Sequence, residues 1–467
     1  MLLKNGICQV TEEVRTEQLV QRIRQTLAEK MEHGELPPHL YTYPTKGAYE
    51  SFSDGRLAAS SWSSVKGPVN LYIHIPYCDM KCSFCTLFST AGHSANTIER
   101  YLKAIIRELD LLGPYLHTGD LEVKSICFGG GTPTVLSSEQ ISLLMDQFRS
   151  RFKNIDPNAE VCIEAAPNSM NDAQCRELRA SGFNRISIGI QSFDDEELTG
   201  MGRLYDGDHG RRMVHVALEA GFPNVNIDLI YGLPNQTYQK WLRNLQTAIE
   251  LGTPSITLYP LAVRSKTTYN KWYKESPGIF RNNLTKYNWY DVAVDLLTSN
   301  GYEQQTLVNF AREGGGSRHE TNEFMGIPTI GLGSGARSYA PTLHYTNDDY
   351  VNRKYITSMI SDYLNCIESS DEIPVRSAVS LDREEIIRKY VILRLLRIGV
   401  DITDFELRFG ESLESKFGPL FDALRLENLV ERSGRTEKLT KRGLRFSSII
   451  ATMFFSDRVK RLAPDYS

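Results

Sequence analysis

The sequence predicts an α/β fold with a parallel sheet, because six short apolar runs typical of strands alternate with segments of helical pattern. The runs are Leu71–Ile75, Val123–Phe128, Val161–Ala165, Arg185–Ile190, Val225–Ile230 and Ile256–Leu261. Residues 98–109 keep one face apolar at helical spacing, and Ser137-Ser138-Glu139-Gln140 has the pattern of a capping box that opens a second helix. Further helices are predicted at Asn171–Ala180, Asp208–Ala220 and Tyr238–Leu251. A doubly wound sheet and a barrel both fit this alternation.

Two further pieces flank the strand-rich region. The predicted domains are an N-terminal extension (1–69), the α/β domain (70–371) and a C-terminal α+β domain (372–467). Helical patterns occupy Glu12–Lys30 in the first piece and Glu384–Arg397 and Leu420–Glu427 in the last. The extension continues with polar and aromatic residues around Tyr43-Pro44.

Size and composition restrict the class of protein. At 467 residues the chain is long enough for two or three domains, and 41% apolar and 24% charged residues are ordinary for a soluble globular protein. The net charge of −4 gives no general attraction to polyanions. The N-terminus lacks the apolar core of a signal peptide, no apolar run is long enough to span a membrane, and eight cysteines do not suggest a disulfide framework. We therefore expect a cytoplasmic monomer that binds neither nucleic acid nor membranes.

Three cysteines, Cys78, Cys82 and Cys85, fall within eight residues directly after the first predicted strand. This spacing puts three thiolates on one loop, close enough to ligate one polynuclear centre. Iron–sulfur clusters are held by cysteine thiolates and normally use four, so three ligands leave one iron open to a non-protein ligand. Structural zinc would require a fourth cysteine or histidine, and His93 is the nearby candidate.

The stretch from Tyr72 to Cys85, with its Tyr-x-His-Ile-Pro-x-Cys pattern, resembles the radical S-adenosylmethionine (SAM) superfamily. It is most similar to the HemN-like branch, which holds the oxygen-independent coproporphyrinogen III oxidase, related heme chaperones and class C radical SAM methyltransferases. The resemblance runs from about Asn70 to beyond Leu444. It implies a partial (βα)6 barrel of the TIM type, a C-terminal winged-helix-like domain, a [4Fe-4S] cluster on the three cysteines, and SAM at the open iron. It also implies a small-molecule substrate and an electron donor such as flavodoxin or ferredoxin.

The resemblance implies SAM-binding roles for residues near the C-terminal ends of the strands, where active groups of such barrels lie. The residues that match a first SAM site are Tyr72, Gly130, Glu164 and Tyr259. The residues that match a second SAM site are Phe84, Gly131, Thr132, Gln191, Arg203 and Asp228. Glycines let the backbone approach a ligand closely. The Glu164 carboxylate can accept hydrogen bonds from ribose hydroxyls. Arg203 and Asp228 suit the carboxylate and ammonium ends of SAM, and the alternative for them is a structural ion pair at the barrel rim.

Three other features have competing interpretations. Ile330–Ser338 matches a glycine-rich loop that the family uses near its ligands, but Arg337 stands where an apolar or histidine residue is expected and is a candidate to meet a substrate acid. Cys127 and Cys162 lie in apolar strands and are expected to be small buried hydrophobes. The basic tract 432–445 could belong to a DNA-binding winged helix, but a solvated surface wing on an enzyme is the favoured interpretation.

Three departures from the branch members bear on the reaction. The oxidase usually has a further cysteine two positions after the third cluster cysteine, and Cys85-Thr86-Leu87 lacks it. The heme chaperones carry a His-Asn-x-x-Tyr-Trp element, of which 318–324 keeps only His319. The segment 43–49 is similar to an extension of uncharacterised and biosynthetic members.

These departures favour a class C methyltransferase or cyclopropanating enzyme. In that reaction a 5′-deoxyadenosyl radical from one SAM activates the methyl group of a second SAM, which adds to an sp² carbon of the substrate. The alternatives are decarboxylation of the coproporphyrinogen type, a different radical reaction, and a non-enzymatic heme- or cluster-carrying protein. The cofactors carry the hard chemistry, so no catalytic acid–base pair is expected in radical formation. The sequence does not identify the substrate.

Overall fold

The structure, a computed structural model, describes residues 2–32, 39–349 and 355–463. Contacts divide the chain into two compact units, one of residues 46–382 and one formed by residues up to Thr45 together with those from Arg383 onward. The division predicted from the family pattern, at 69/70 and 371/372, stays a prediction. Residues 1, 33–38, 350–354 and 464–467, which fall within the predicted N-terminal, α/β and C-terminal domains, lie outside the described residues.

Strands and helices are numbered in chain order. The strands are β1 (Glu50–Ser51), β2 (Gly67–Ile75), β3 (Tyr77–Cys78), β4 (Thr90–Ala91), β5 (Leu121–Gly130), β6 (Ile155–Ala165), β7 (Arg185–Gln191), β8 (Asn224–Tyr231), β9 (Ser255–Pro260), β10 (Glu303–Gln304), β11 (Asn309–Ala311), β12 (Thr329–Leu332), β13 (Arg337–Tyr339), β14 (Leu343–Thr346), β15 (Ser377–Ser380), β16 (Val400–Asp401), β17 (Val430–Ser433) and β18 (Thr436–Leu439). The helices are α1 (Leu2–Glu32), α2 (Gly55–Ser60), α3 (Ala95–Leu112), α4 (Ser138–Arg151), α5 (Asp172–Ala180), α6 (Asp195–Met201), α7 (Gly207–Glu219), α8 (Tyr238–Leu251), α9 (Thr268–Glu275), α10 (Asn283–Ser299), α11 (Arg318–Phe324), α12 (Ile356–Ser369), α13 (Arg383–Arg397), α14 (Ile402–Phe409), α15 (Leu413–Leu426), α16 (Lys441–Arg445), α17 (Ser447–Met453) and α18 (Asp457–Leu462).

The larger unit is built on one sheet whose central six strands are parallel, in the order β2-β5-β6-β7-β8-β9. Strand β12 adds to β2 in parallel, and the remaining strands at both edges are antiparallel. Each of the six runs predicted as strands lies mainly within one central strand. The predicted α/β class with a parallel sheet is therefore confirmed, and its central strands alternate with helices as βαβ units require.

The helices begin where their capping residues predict. Ser137 and Gln140 form the predicted capping box at the start of α4: the Ser137 hydroxyl accepts from the Gln140 amide, and the Gln140 side chain accepts from the Ser137 amide. Helix α7 begins one residue earlier than predicted, because the Asp206 side chain caps it by accepting from the amide of His209. Helix α8 has the predicted bounds.

The two faces of the central strands differ sharply in polarity. One face supplies aliphatic side chains, such as Leu71, Ile126 and Ile186, to the core that also contains buried residues of the surrounding helices. The other, which we call the polar face, carries cross-strand rows of polar or small residues. One row is Tyr72, Cys127, Cys162, Arg185 and Asn224, and the row nearer the C-terminal strand ends is His74, Gly129, Glu164, Ser187, Asn226 and Ser255. The polar face therefore leads to the strand ends where ligands are expected.

The smaller unit contains helices α13 to α15 followed by the β17–β18 hairpin, with β16 paired to β18. This order of helices and a hairpin wing fits the predicted winged-helix-like domain. Two arginines of its basic tract form ion pairs within the unit: Arg432 pairs with Glu414 and Glu437, and Arg435 pairs with Glu406. Within the described residues, no helix combines the length and apolar character needed to cross a membrane.

Candidate functional site

The three cysteines lie on a loop that follows β2 and is fixed from several sides. The Ser83 amide donates to the Met201 carbonyl at 3.0 Å, and the Ser83 carbonyl accepts from the amide of Tyr269 at 3.0 Å. At the far end of the loop, His74 Nε2 lies 2.8 Å from the carbonyl oxygen of Phe88. Backbone contacts from α6 and α9 and a side chain of β2 thus hold the loop in one conformation.

Cys78, Cys82 and Cys85 are free thiols and half-buried. Burial raises the pKa of the Cys78 and Cys82 thiols, while the cationic side chain of Arg203 acts in the opposite direction on both. The Thr132 hydroxyl donates to Cys78 Sγ at 3.5 Å. A nearby cation and a hydroxyl donor both favour the thiolate form that binds metal.

Gly131 packs against the same loop. Its amide donates to the Ile75 carbonyl at 2.8 Å, and a Cβ at this position would lie 2.6 Å from the Tyr77 carbonyl oxygen and 2.9 Å from Cys78 Sγ. The glycine is required here because the opposing atoms are backbone and a cysteine sulfur.

The donor set fits an iron–sulfur cluster. In the described part of the chain, no three histidine, cysteine or acidic side chains converge closely enough to hold a single metal ion. A polynuclear cluster does not need such convergence, because each thiolate binds a different iron. The free thiols of Cys78, Cys82 and Cys85, with Gly131 packed closely against Cys78, therefore suit a cluster with one iron left open.

A second group of predicted residues meets at the ends of β2, β5 and β6. The Gly130 amide donates to Glu164 Oε2 at 3.0 Å, and the ring of His74 lies where a Cβ on Gly130 would be. Because His74 Nε2 faces a carbonyl, it carries the proton, and Nδ1 accepts from the Tyr72 hydroxyl at 3.2 Å. Burial lowers the pKa of His74 to about 4, so this imidazole is neutral.

Glu164 is a half-buried carboxyl surrounded by protein. This desolvation raises its pKa to about 7, while the Gly130 hydrogen bond acts in the opposite direction. Tyr72 and Gly130 lie next to it, so the structure brings three of the four residues predicted for the first SAM site together. The fourth, Tyr259, is half-buried at the end of β9 in a different cluster, described below.

Gln191, Arg203 and Asp228 lie at the next strand ends. Gln191 ends β7 at a break in the β7–β8 register with φ of +67°, a strained conformation for a non-glycine residue that is typical of functional positions. A Cβ on Gly189 would lie 2.6 Å from Gln191 Nε2 and 3.8 Å from Arg203 Nη2, so the two side chains are neighbours.

Arg203 and Asp228 do not form the rim ion pair that was the alternative for them. Arg203 Nε is shielded from solvent and has no hydrogen-bond partner among the described residues. Asp228 Oδ1 accepts from Asn226 Nδ2 at 2.8 Å, and desolvation raises the pKa of Asp228 to about 6. A guanidinium with an unused shielded donor next to the cysteine loop is suited to binding an anionic group.

An aromatic cluster borders the cysteine loop. Phe84 packs near Tyr269 with ring centroids 6.4 Å apart, and Tyr259 belongs to the same apolar cluster. Trp272 and Phe280 also pack against Tyr269, at centroid distances of 5.3 and 6.0 Å. These rings form an apolar wall beside the thiols.

Arg337 continues the row of the polar face beyond Tyr72. Gly331 is in register with Tyr72 on one side, and on the other the backbone of Arg337 packs where a Cβ on Gly331 would lie, 2.2 Å from the Arg337 carbonyl oxygen. The charge of Arg337 acts on both Tyr72 and His74. The loop before it is fixed by Glu108, whose carboxylate accepts from the Gly333 amide at 2.7 Å. A cation therefore faces the first predicted SAM site.

Sequence reasoning missed several side chains of the polar face. Cys127 and Cys162 are buried as expected, but Cys162 Sγ also accepts from Arg185 Nη1 at 3.1 Å. Arg185 was treated only as the first residue of a strand. The sequence does contain a pattern that indicates this face: polar or small residues recur at alternate positions in β2, β5, β6, β7 and β8, and alternate residues of a strand point to the same side of the sheet.

His319, the histidine kept from the chaperone element, lies on α11 with its ring centroid 6.3 Å from that of Tyr72. It is 8% exposed, and its Nδ1 lies 2.7 Å from the hydroxyl of Ser125, which itself donates to Asn70. His319 therefore holds α11 against β2 and β5 and is not presented to solvent.

Known proteins are similar to this chain over both units. Residues 72–248 match the radical SAM superfamily model, and residues 381–446 match the HemN C-terminal domain model. The heme chaperone HemW of Escherichia coli is 32% identical over 269 residues, 58% of this chain and 69% of HemW. The oxygen-independent coproporphyrinogen III oxidase of Salmonella typhimurium is 34% identical over 210 residues, 45% of each chain. The solved structure of the Escherichia coli oxidase HemN superposes with a TM-score of 0.76 at 24% identity, over 89% of this chain and 96% of HemN.

Proposed function

Because the chain belongs to the radical SAM superfamily, in the family of HemW and the oxygen-independent coproporphyrinogen III oxidases, we propose that it is an enzyme that cleaves SAM reductively and oxidises a small organic substrate. The observation that carries the proposal is the loop of three free thiols, Cys78, Cys82 and Cys85, at the C-terminal end of the first central strand. The ends of the two neighbouring strands carry Gly130 and Gly131, at the end of β5, and the Glu164 carboxylate, on β6.

When bound, the [4Fe-4S] cluster supplies the single electron that cleaves SAM, and the chain supplies binding, orientation and exclusion of water. The three cysteines hold the cluster, and the Glu164 carboxylate accepts hydrogen bonds from the hydroxyl groups of the SAM ribose. Arg203 provides a cation for a carboxylate, and the aromatic wall at Phe84 keeps water from the reacting groups. A second SAM at Gln191, Arg203 and Asp228 is part of the proposal.

Among the possible reactions we favour oxidation of a carboxylate-bearing substrate of the coproporphyrinogen type. The oxidases are relatives by sequence, and HemN shares the fold over nearly its whole length. The cation of Arg337 beside Tyr72 suits an acidic substrate. The class C methyltransferase predicted from the sequence gains no support from these relatives, and it becomes an outcome of the test.

A heme-chaperone function is the second candidate, because HemW is also a relative. The buried position of His319 argues against a role of that histidine as an exposed heme ligand. A carrier and an enzyme differ in one simple measurement, because only an enzyme forms 5′-deoxyadenosine from SAM above background.

The test is an anaerobic assay of the reconstituted protein with SAM, a flavodoxin or dithionite reductant, and coproporphyrinogen III. We expect methionine, 5′-deoxyadenosine and carbon dioxide. S-adenosylhomocysteine in place of carbon dioxide would establish methyl transfer instead. Heme binding without 5′-deoxyadenosine would establish a carrier and overturn the proposed function.

Cysteine variants test the cluster separately. Cys82→Ala should lose the brown chromophore and all SAM cleavage, since each thiolate holds iron. Cys175→Ala is the matched control, because this cysteine is buried on α5 away from the loop and should retain the cluster. A triple variant of Cys78, Cys82 and Cys85 that still binds about four irons per chain would contradict the assignment.

A further inference from the structure

Arg185 is a buried cation in the middle of the polar face. It is the first residue of β7, in register with Cys162 on β6 and with Asn224 on β8. Its Nη1 donates to Cys162 Sγ at 3.1 Å, while its Nε is shielded from solvent and has no hydrogen-bond partner among the described residues. A thiol is a weak acceptor, and the further stabilisation of this buried guanidinium comes from acids around it, among them Glu160, which is buried two residues before Cys162 on the same face of β6.

Two carboxyls lie toward the strand ends from Arg185. Glu164 is two residues beyond Cys162 on the same face of β6, which makes it a diagonal neighbour of Arg185, a distance that a long side chain spans. Asp228 lies on the same face of β8, four residues beyond Asn224. Both carboxyls are half-buried, and desolvation favours the neutral form of each; the charge of Asp228 adds to this effect on Glu164.

The other groups around this cluster cannot supply the same charge. The titratable and polar groups that face the three residues are Tyr72, Cys127, Glu160, Cys162, Arg203, Asn226 and Thr257, with the amide of Gly130. Two other cations lie nearby. Arg203 acts on Asp228 and Arg337 acts on Tyr72 and His74, whereas Arg185 opposes the upward pKa shift of both Glu164 and Asp228.

We infer that Arg185 is a positioning residue of the two predicted SAM sites, whose charge favours the ionised forms of Glu164 and Asp228. In those forms Glu164 accepts hydrogen bonds from the ribose hydroxyls of one SAM, and Asp228 accepts from the ammonium group of the other. The inference rests on the proposed function, since its ligand is SAM. Arg185 itself does not touch SAM; it lies one row below Glu164 and two rows below Asp228 on the polar face and acts through them. Its fixed charge is suited to this role because a guanidinium keeps its proton even inside a protein.

The experiment measures the dissociation constant of SAM for the reconstituted protein by anaerobic calorimetry between pH 6.5 and 8.5. Without Arg185 the carboxyls hold their protons to higher pH, so binding weakens most at the acidic end. Arg185→Gln should raise the dissociation constant about tenfold at pH 6.5 and less than about threefold at pH 8.5. Arg185→Lys should restore the wild-type pH profile.

A matched control is Asn224→Ser, which removes an uncharged polar side chain from the same row and should leave the pH profile unchanged. A loss of affinity in Arg185→Gln that is equal at every pH would show a purely structural role and overturn the inference. If Arg185→Gln does not fold, Arg185→Lys tests the inference by itself. A pH profile of SAM binding that differs from the wild-type profile in Arg185→Lys would also overturn the inference. Failure of the wild-type protein to bind SAM at any pH would instead defeat the proposed function.

Discussion

At the scale of single residues, the candidate site combines groups that oppose folding with a geometry that suits a charged ligand. Glu164 and Asp228 are surrounded by protein, and the upward shift of their pKa values expresses the cost of ionising them there. Arg203 carries a shielded donor without a partner. Such groups lower the stability of the ligand-free protein and are therefore expected where a ligand completes their interactions.

Glu164→Gln tests this opposition between stability and binding. The folded-state pKa of about 7 lies above the ordinary 4.5, so the folded protein holds the proton more tightly than the unfolded chain. The contribution of Glu164 to the free energy of unfolding is therefore most favourable below about pH 4.5. It decreases as the pH rises and is lost above about pH 7. The glutamine can still accept from the Gly130 amide but cannot ionise.

We therefore expect Glu164→Gln to stabilise the ligand-free protein at pH 8 by about 1–3 kcal/mol, after allowance for partial solvent exposure. The gain should vanish at pH 4.5, and binding of SAM should weaken. Thermal melts of both proteins at the two pH values, with and without SAM, provide the measurement. A variant that is less stable than the wild type at pH 8 would refute this account of Glu164.

At the scale of elements, the turn after β5 holds the site together through its lack of side chains. Gly131→Ala would force a Cβ against the Tyr77 carbonyl and Cys78 Sγ, and neither a backbone atom nor a cluster ligand can move cheaply. We expect the variant to bind less iron after reconstitution and to lose about 1–3 kcal/mol of stability.

Gly119→Ala is the control for this change. Gly119 is exposed in the turn before β5 and has no left-handed backbone, and a Cβ there would meet no atom within 4 Å, so alanine should be neutral or slightly stabilising. Iron content by absorbance and denaturant unfolding compare the two variants. Normal iron content in Gly131→Ala would mean that the loop does not need the close approach seen in the structure.

Much of this arrangement could be predicted from the sequence, for physical reasons. Strong alternation of apolar runs and capped helices, as at Ser137, determines a βαβ fold locally. The three cysteines were evident because they lie close in sequence. Arg185 and His74 were missed as site residues, because their roles depend on cross-strand register, which a single sequence does not display. The strained φ of Gln191 likewise arises from a register break between β7 and β8.

At the scale of the whole molecule, chemistry and structural support are divided between the two units. Every residue predicted to bind the cluster or SAM, from Tyr72 to Arg337, belongs to the larger unit. The smaller unit is discontinuous and joins the N-terminal segment to the C-terminal domain. Within it, helix α1 buries Val20, Ile23 and Leu27, and Arg24 pairs with Glu427. Segments distant in sequence thus form one core that contains none of the predicted ligands.

Tyr43→Phe tests this division. The Tyr43 hydroxyl donates to Glu385 Oε2 at 2.5 Å and accepts from the Ser456 amide at 3.1 Å, so it ties the N-terminal segment to α13 and the start of α18. Removing it takes one buried hydrogen bond from Glu385 Oε2 and one from the Ser456 amide, which should cost the smaller unit about 1–3 kcal/mol. Tyr41→Phe, two residues away and 43% exposed, is the matched control and should change stability by less than about 0.5 kcal/mol. Limited proteolysis should show faster cleavage after residue 383 in Tyr43→Phe alone, with unchanged iron content and SAM affinity. Loss of the cluster in this variant would mean that the larger unit depends on the smaller one for its site, contrary to the division of the chain into two separately packed cores.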